Sequence, residues 1–247
     1  MIRIFQNNVS FPDTELDSEA SHYIRNVIHI KEGATIILCD LSGNEYISSV
    51  KSISRSSVVV KPGSSQPNKA NPKRDVWLLM ATLKGRKIDD VISNSTALGI
   101  SKIIPFIASR SINKEIPGKT ERWKKIALEA SRQCGRSIIP EITNTFSNLE
   151  KSIQHLSGLE NYSKAIKLFC WEETGKPLNS IESWQLNNFP IILTIGPEGG
   201  FTKEEAELAK KNGFEHISLG PRIFRANLAP VVALSIIMNL IGEFDNA

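Results

Sequence analysis

The sequence is poor in the residues that staple or metallate small folds. It has three cysteines in 247 residues, Cys39, Cys134 and Cys170, far apart and without a C-x-x-C pair. With no histidine at ligand spacing from them, neither a disulfide framework nor a zinc site is expected, and no metal is assigned. An apolar signal core is missing from the N-terminal stretch MIRIFQNNVSFPDTE, and no uninterrupted apolar run reaches the roughly 18 residues of a membrane span. A cytoplasmic protein without membrane contact is the expectation. Also absent are G-x-G-x-x-G and G-x-x-x-x-G-K-[ST], so dinucleotide and P-loop readings have little support.

What is present is ordinary globular composition, 40% hydrophobic and 23% charged, in a chain long enough to bury roughly 70–75% of its unfolded surface. The net charge of +4 is unevenly spread: residues 73–150 hold 14 Lys/Arg against 8 Asp/Glu, in clusters such as LKGRK (83–87), KTERWKK (119–125) and SRQCGR (131–136). A polyanionic partner and a merely solvated lysine-rich surface both fit this charge. Residues 34–61 carry short β-rich runs at 36–38, 46–50 and 58–60 separated by turn clusters, the pattern of a small barrel or sandwich. Residues 61–74, KPGSSQPNKANPKR, have three prolines and no apolar periodicity, and read as a linker between units 1–72 and 73–247.

Beyond residue 74 strands and helices alternate. Apolar runs at 76–80, 103–107, 165–171, 191–195 and 216–219 are short and bounded by Gly, Pro or polar residues, as in an α/β fold with a mostly parallel, helix-covered sheet. Ile88, Val91, Ile92 and Ser95 share one helix face ahead of a capping Gly99. Trp123, Ile126, Ala127, Ala130 and Cys134 form an inward stripe, which makes Cys134 a core residue rather than a nucleophile. Thr202 and Glu205 form a capping box, so GPEGG at 196–200 is a strand-to-helix loop. It lies where open α/β sheets bind ligands, although a tight turn could need the same glycines. Residues 216–242 repeat the layout: strand, Gly-Pro turn, Arg222 and Arg225, then an apolar helix at whose N-terminus an anion would be favoured.

These paired loops, IGPEGGFTKEE and SLGPRIFR, together with RQCGRSIIPEI (132–142), TALGISKIIPFIASRS (96–111) and SHYIRNVIHIKEG (21–33), resemble the bacterial 16S ribosomal RNA uridine-N3 methyltransferase family of the SPOUT superfamily. The resemblance implies an N-terminal PUA-like RNA-binding β-barrel and a C-terminal domain tied into a deep trefoil knot. It also implies a homodimer, S-adenosylmethionine as cofactor, and 16S ribosomal RNA in the small subunit as substrate. Carried onto this chain, Gly196, Pro197, Glu198, Gly199 and Gly200 would form one wall of the cofactor pocket, and Leu219, Gly220, Ile223 and Phe224 the other. Arg225 is the first catalytic candidate, with Arg136 and the substituted position Asn227. Arg110, Arg136, Lys84, Arg86 and Arg25 would contact RNA.

The chain departs from the family pattern at several positions. Asn227-Leu228 stands where Glu-Thr is usual, and Asn94, Ala97, Ser109, Arg132 and His29 replace other charged groups. Asn227 can exchange hydrogen bonds but cannot take a proton as a carboxylate does. Two functions therefore stay open: a methyltransferase acting on N3 of a decoding-region uridine, and a knotted rRNA-binding or assembly protein that keeps the pocket but transfers methyl groups weakly or not at all.

Overall fold

The computed structural model describes residues 1–112, 118–181 and 189–245. Compactness divides them into two units, Met1–Asn71 with Ser131–Ile139, and Pro72–Ala130 with Pro140–Ala247.

In the first unit, β1 (Arg3–Phe5), β2 (Thr14–Glu15), β3 (Thr35–Cys39), β4 (Asn44–Ile53), β5 (Val58–Lys61) and β6 (Ser65–Pro67) form one sheet, with α1 (Ser18–His22) between β2 and β3. The strand order is β1-β3-β4-β5-β2, with β6 added on β4. Only β1 and β3 run parallel. One sheet around one core is present, not the two layers of a sandwich. Ile4, Ile24, Ile36, Leu38, Val58 and Val60 fill that core with no exposed surface. The proline-bearing segment 61–74 is not a plain linker. Ser65–Pro67 pairs antiparallel with β4, and Pro67, which has no N–H to donate, falls at the strand's end. Its asparagines act as tethers: Asn68 Nδ2 donates to Glu45 Oε1 and to the Gly135 carbonyl, while Asn71 Oδ1 accepts from the amides of Ser137 and Ile138. Composition suggests flexibility here, but side-chain amides supply the hydrogen bonds that a regular element would otherwise make.

The second unit holds β7 (Val76–Ala81), α2 (Lys87–Ala97), β8 (Lys102–Phe106), α3 (Lys119–Cys134), β9 (Glu141–Ile142), α4 (Leu149–Ser157), β10 (Ile166–Cys170), β11 (Lys176–Pro177), β12 (Ile191–Ile195), α5 (Lys203–Lys211), β13 (Glu215–Ser218) and α6 (Ala229–Leu240); the last turn of α3 falls in the first unit. Its seven strands pair in the order β11-β13-β10-β12-β7-β8-β9, every ladder parallel. All six residues of β7 are buried, as are all five of β12, which is why these strands read as unbroken apolar runs. The five expected strands are found with ends displaced by at most one residue. Gly99 follows the end of α2 at φ +101°, and α2 buries Ile88, Val91, Ile92 and Ser95. Both halves of the capping box at Thr202 and Glu205 are formed. In α3, Trp123, Ala127 and Ala130 are buried, whereas Ile126 and Cys134 are only half-buried.

Among the described residues, no helix is long and apolar enough to cross a membrane, and no group of three or more His, Cys, Asp or Glu is placed to hold a metal.

Phe201, just before α5, is buried against Phe169 with ring centroids 4.1 Å apart and lies parallel to Phe106 at 6.4 Å. Truncating a packed aromatic costs about 3–5 kcal/mol. Phe201→Ala should lower the denaturation midpoint of the second unit accordingly; an unchanged midpoint in urea would show that the ring contributes little to the core.

Candidate functional site

Strand order decides where the site lies. β12 and β13 are consecutive in this part of the chain, yet β10 lies between them. The loop after β12 (196–202) and the loop after β13 (219–228) leave the same edge of the sheet and flank the carboxyl end of β10. They enclose a cleft of about 740 Å³, at the edge where α/β sheets bind ligands. Its lining includes all nine positions predicted to cradle a ligand: Gly196, Pro197, Glu198, Gly199 and Gly200 from one loop, and Leu219, Gly220, Ile223 and Phe224 from the other. Arg222 and Arg225 join them.

The first loop is braced from outside the cleft. An Arg110 guanidinium N–H donates to the Gly199 carbonyl at 3.1 Å. The Glu205 carboxylate accepts from Ser109 N at 2.9 Å and from Thr202 N at 3.0 Å, tying the loop after β8 to the start of α5. A side chain at 199 would begin 3.0 Å from Arg110 Cβ, so close approach of these two loops favours glycine there. At Gly200, φ is +69°, which favours glycine, and an added Cβ would lie 2.0 Å from Glu172 Oε1, so that the glutamate side chain would have to swing aside.

Glu198 faces the loop between β7 and α2. Its Oε1 accepts from Lys87 Nζ at 2.9 Å and from the Lys84 amide at 3.2 Å. Burial pushes its carboxyl up, but these hydrogen bonds, its own amide and the Lys87 charge outweigh that and hold it below the ordinary value. Arg225 is exposed in the cleft wall, and its carbonyl accepts from the amides of Leu228 and Ala229 at 2.8 and 2.9 Å, fixing the entry to α6.

The remaining candidates lie elsewhere. Asn227 is half-buried and is not in the cleft lining. Arg136 is only 1% exposed and folds with the first unit, so it is neither solvent-facing nor part of the cleft wall. Arg25, also in the first unit, donates to the carbonyls of Ser21, Ser54 and Arg55. Lys84 and Arg86 are exposed on the β7–α2 loop. Burial pushes the Cys170 thiol above its ordinary range, and that of Cys39 up to about 12, which keeps both protonated. Lining residues that sequence reasoning did not assign to the site include Lys87, Trp171 and Glu172. The signal available for the last two was their position at the end of an apolar run, where a parallel strand ends.

A domain model described as an RNA methyltransferase domain matches residues 69–238, and one described as an RNA methyltransferase PUA domain matches residues 16–63. The parallel sheet with its end-on cleft is thus that of an RNA methyltransferase. The ribosomal RNA small subunit methyltransferase E of Bacillus subtilis is 32% identical over 237 residues, covering 92% of this chain and 90% of the relative. The chain belongs to the ribosomal RNA small subunit methyltransferase E family. Among solved structures, a Legionella pneumophila methyltransferase in complex with S-adenosylmethionine is 29% identical with a TM-score of 0.83, covering 96% of this chain and 97% of that one. The fold is also similar to that of ribosomal RNA small subunit methyltransferase E from Neisseria gonorrhoeae, 22% identical with a TM-score of 0.86 over 97% and 98% of the two chains.

Because the folded Glu198 carboxyl is depressed, its pairing with Lys87 favours the fold above the ordinary carboxylate range and is lost as pH falls through the lowered folded value. Lys87→Met should raise that value, read by carbon NMR titration of the labelled carboxyl. A titration identical to wild type would show that the ion pair does not hold it down.

Proposed function

We propose that this chain uses S-adenosylmethionine to methylate N3 of a decoding-region uridine in 16S ribosomal RNA of the small subunit, acting as a cytoplasmic homodimer whose C-terminal segment is tied in a trefoil knot. The observation that carries this reading is the convergence of both Gly-Pro loops on one cleft. The residues present fit the cofactor. Leu219, Ile223 and Phe224 offer apolar surface to an adenine ring, the 196–200 main chain offers hydrogen-bond groups, and carboxylates are available for positive charge. When bound, S-adenosylmethionine supplies an electrophilic methyl group on a sulfonium. The protein's own contribution is to align uracil N3 and to favour its deprotonated form. Arg225 is exposed in the wall, and its proposed role is to favour that anion by charge. Lys84 and Arg86 are the proposed phosphate contacts, and the 1–72 barrel supplies further RNA surface together with Arg25. Arg110 acts through its hydrogen bond to Gly199.

The second reading, an rRNA-binding or assembly protein with little or no transfer, rests on the amide at Asn227. Mapping of 3-methyluridine in 16S ribosomal RNA by mass spectrometry, with and without this protein, decides between them. The mark should disappear in its absence; its persistence would leave the non-catalytic reading. In single turnover at saturating cofactor, Arg225→Ala should slow transfer about ten- to a hundredfold, the loss expected for a charge-assisted contact. An unaltered rate would remove Arg225 from the chemistry.

A further inference from the structure

Five charged side chains line the cleft: Lys87, Arg222 and Arg225 are positive, Glu172 and Glu198 negative. Glu198 looks like the carboxylate for a cationic ligand because it sits inside the glycine motif. Its geometry says otherwise. Both contacts given above, the Lys87 ammonium and the Lys84 amide, fall on one of its oxygens, so its charge is already compensated within the protein. Setting that ion pair aside leaves Glu172 facing two arginines in the cleft wall.

Glu172 lies two residues past the end of β10, at the point where the two loops face each other. It makes no hydrogen bond or ion pair with any described residue. Its carboxylate occupies the space that a side chain at Gly200 would fill, since an added Cβ there would meet Oε1 at 2.0 Å. The last glycine of the loop therefore makes room for this carboxylate. The side chain is exposed and has no charge partner among the described residues, which leaves its charge available to a ligand.

We infer that Glu172, not Glu198, is the carboxylate that receives the positive charge of the cofactor's sulfonium. Lys87 and Glu198 serve as an internal pair that joins the β7–α2 loop to the glycine loop. The arginines on the opposite loop would repel a sulfonium, so the cleft orients an amphoteric ligand with its cationic end toward β10. This inference rests on the cofactor reading above.

The test is calorimetric, on the full-length chain, with S-adenosylmethionine and with S-adenosylhomocysteine, which has lost the sulfonium charge. Glu172→Gln keeps the shape and removes the charge, and Glu172→Asp keeps the charge on a shorter stem. Glu172→Gln should weaken S-adenosylmethionine about tenfold or more, the loss expected of a charge-assisted contact, and S-adenosylhomocysteine much less. Glu172→Asp should recover part of the difference. If Glu172→Gln binds both ligands as wild type does, or loses both equally, the sulfonium is not what Glu172 receives. If wild-type protein binds neither ligand, the cofactor reading itself fails and this inference with it.

Discussion

Phe201 stands where the glycine loop becomes α5, and its ring lies against Phe169 from β10 and parallel to Phe106 from β8. That packing fixes the far end of the loop to two strands of the sheet. The next residue, Thr202, opens α5 with a capping box, and its partner Glu205 also reaches Ser109 N. A loop of three glycines, a proline and a glutamate would otherwise sample many conformations at little cost. Here a buried aromatic anchor and a carboxylate bridge hold it, so its main-chain groups face the cleft already arranged. Preorganisation of this kind lowers the ordering cost of binding without adding a ligand contact.

The strand order then decides what the loop faces. With β10 inserted between β12 and β13, the connection through α5 must carry the chain past β10 before β13 can pair. Two loops more than a dozen residues apart in sequence thereby become opposite walls, and the end of β10 becomes the floor between them. Charge is sorted by the same arrangement. The arginines belong to the loop after β13, and the carboxylates belong to the end of β10 and the loop after β12. An asymmetric field of this sort favours a ligand that carries both signs, in one orientation.

How much of this was legible in sequence follows from burial. Strands such as β7 and β12 are covered on both faces, so every residue must be apolar and the run declares itself. The two Gly-Pro loops were legible because helix caps mark where strand gives way to helix. β6 was not, because Ser65, Gln66 and Pro67 carry no apolar alternation and pair with β4 on an exposed strand. Arg136 read as a surface cation in a basic segment, yet it is buried. Local composition cannot reveal that residues 131–139 fold with a unit some sixty residues upstream through Asn68 and Asn71. Glu172 was missed because a single glutamate after an apolar run has no spacing that distinguishes it from any solvated carboxylate.

The glycine motif shows where such reading runs out. In sequence, consecutive glycines in a strand-to-helix loop announce that something approaches closely, and a ligand is the natural candidate. In the folded chain, the atoms nearest the missing side chains are protein: Arg110 at position 199 and Glu172 at position 200. Close packing of the chain against itself is thus a second reason for glycine here, beside the approach of a ligand. A substitution at either glycine would press on Arg110 or Glu172 as well as on a bound molecule, so loss of binding in such a variant would by itself say nothing about where the ligand sits.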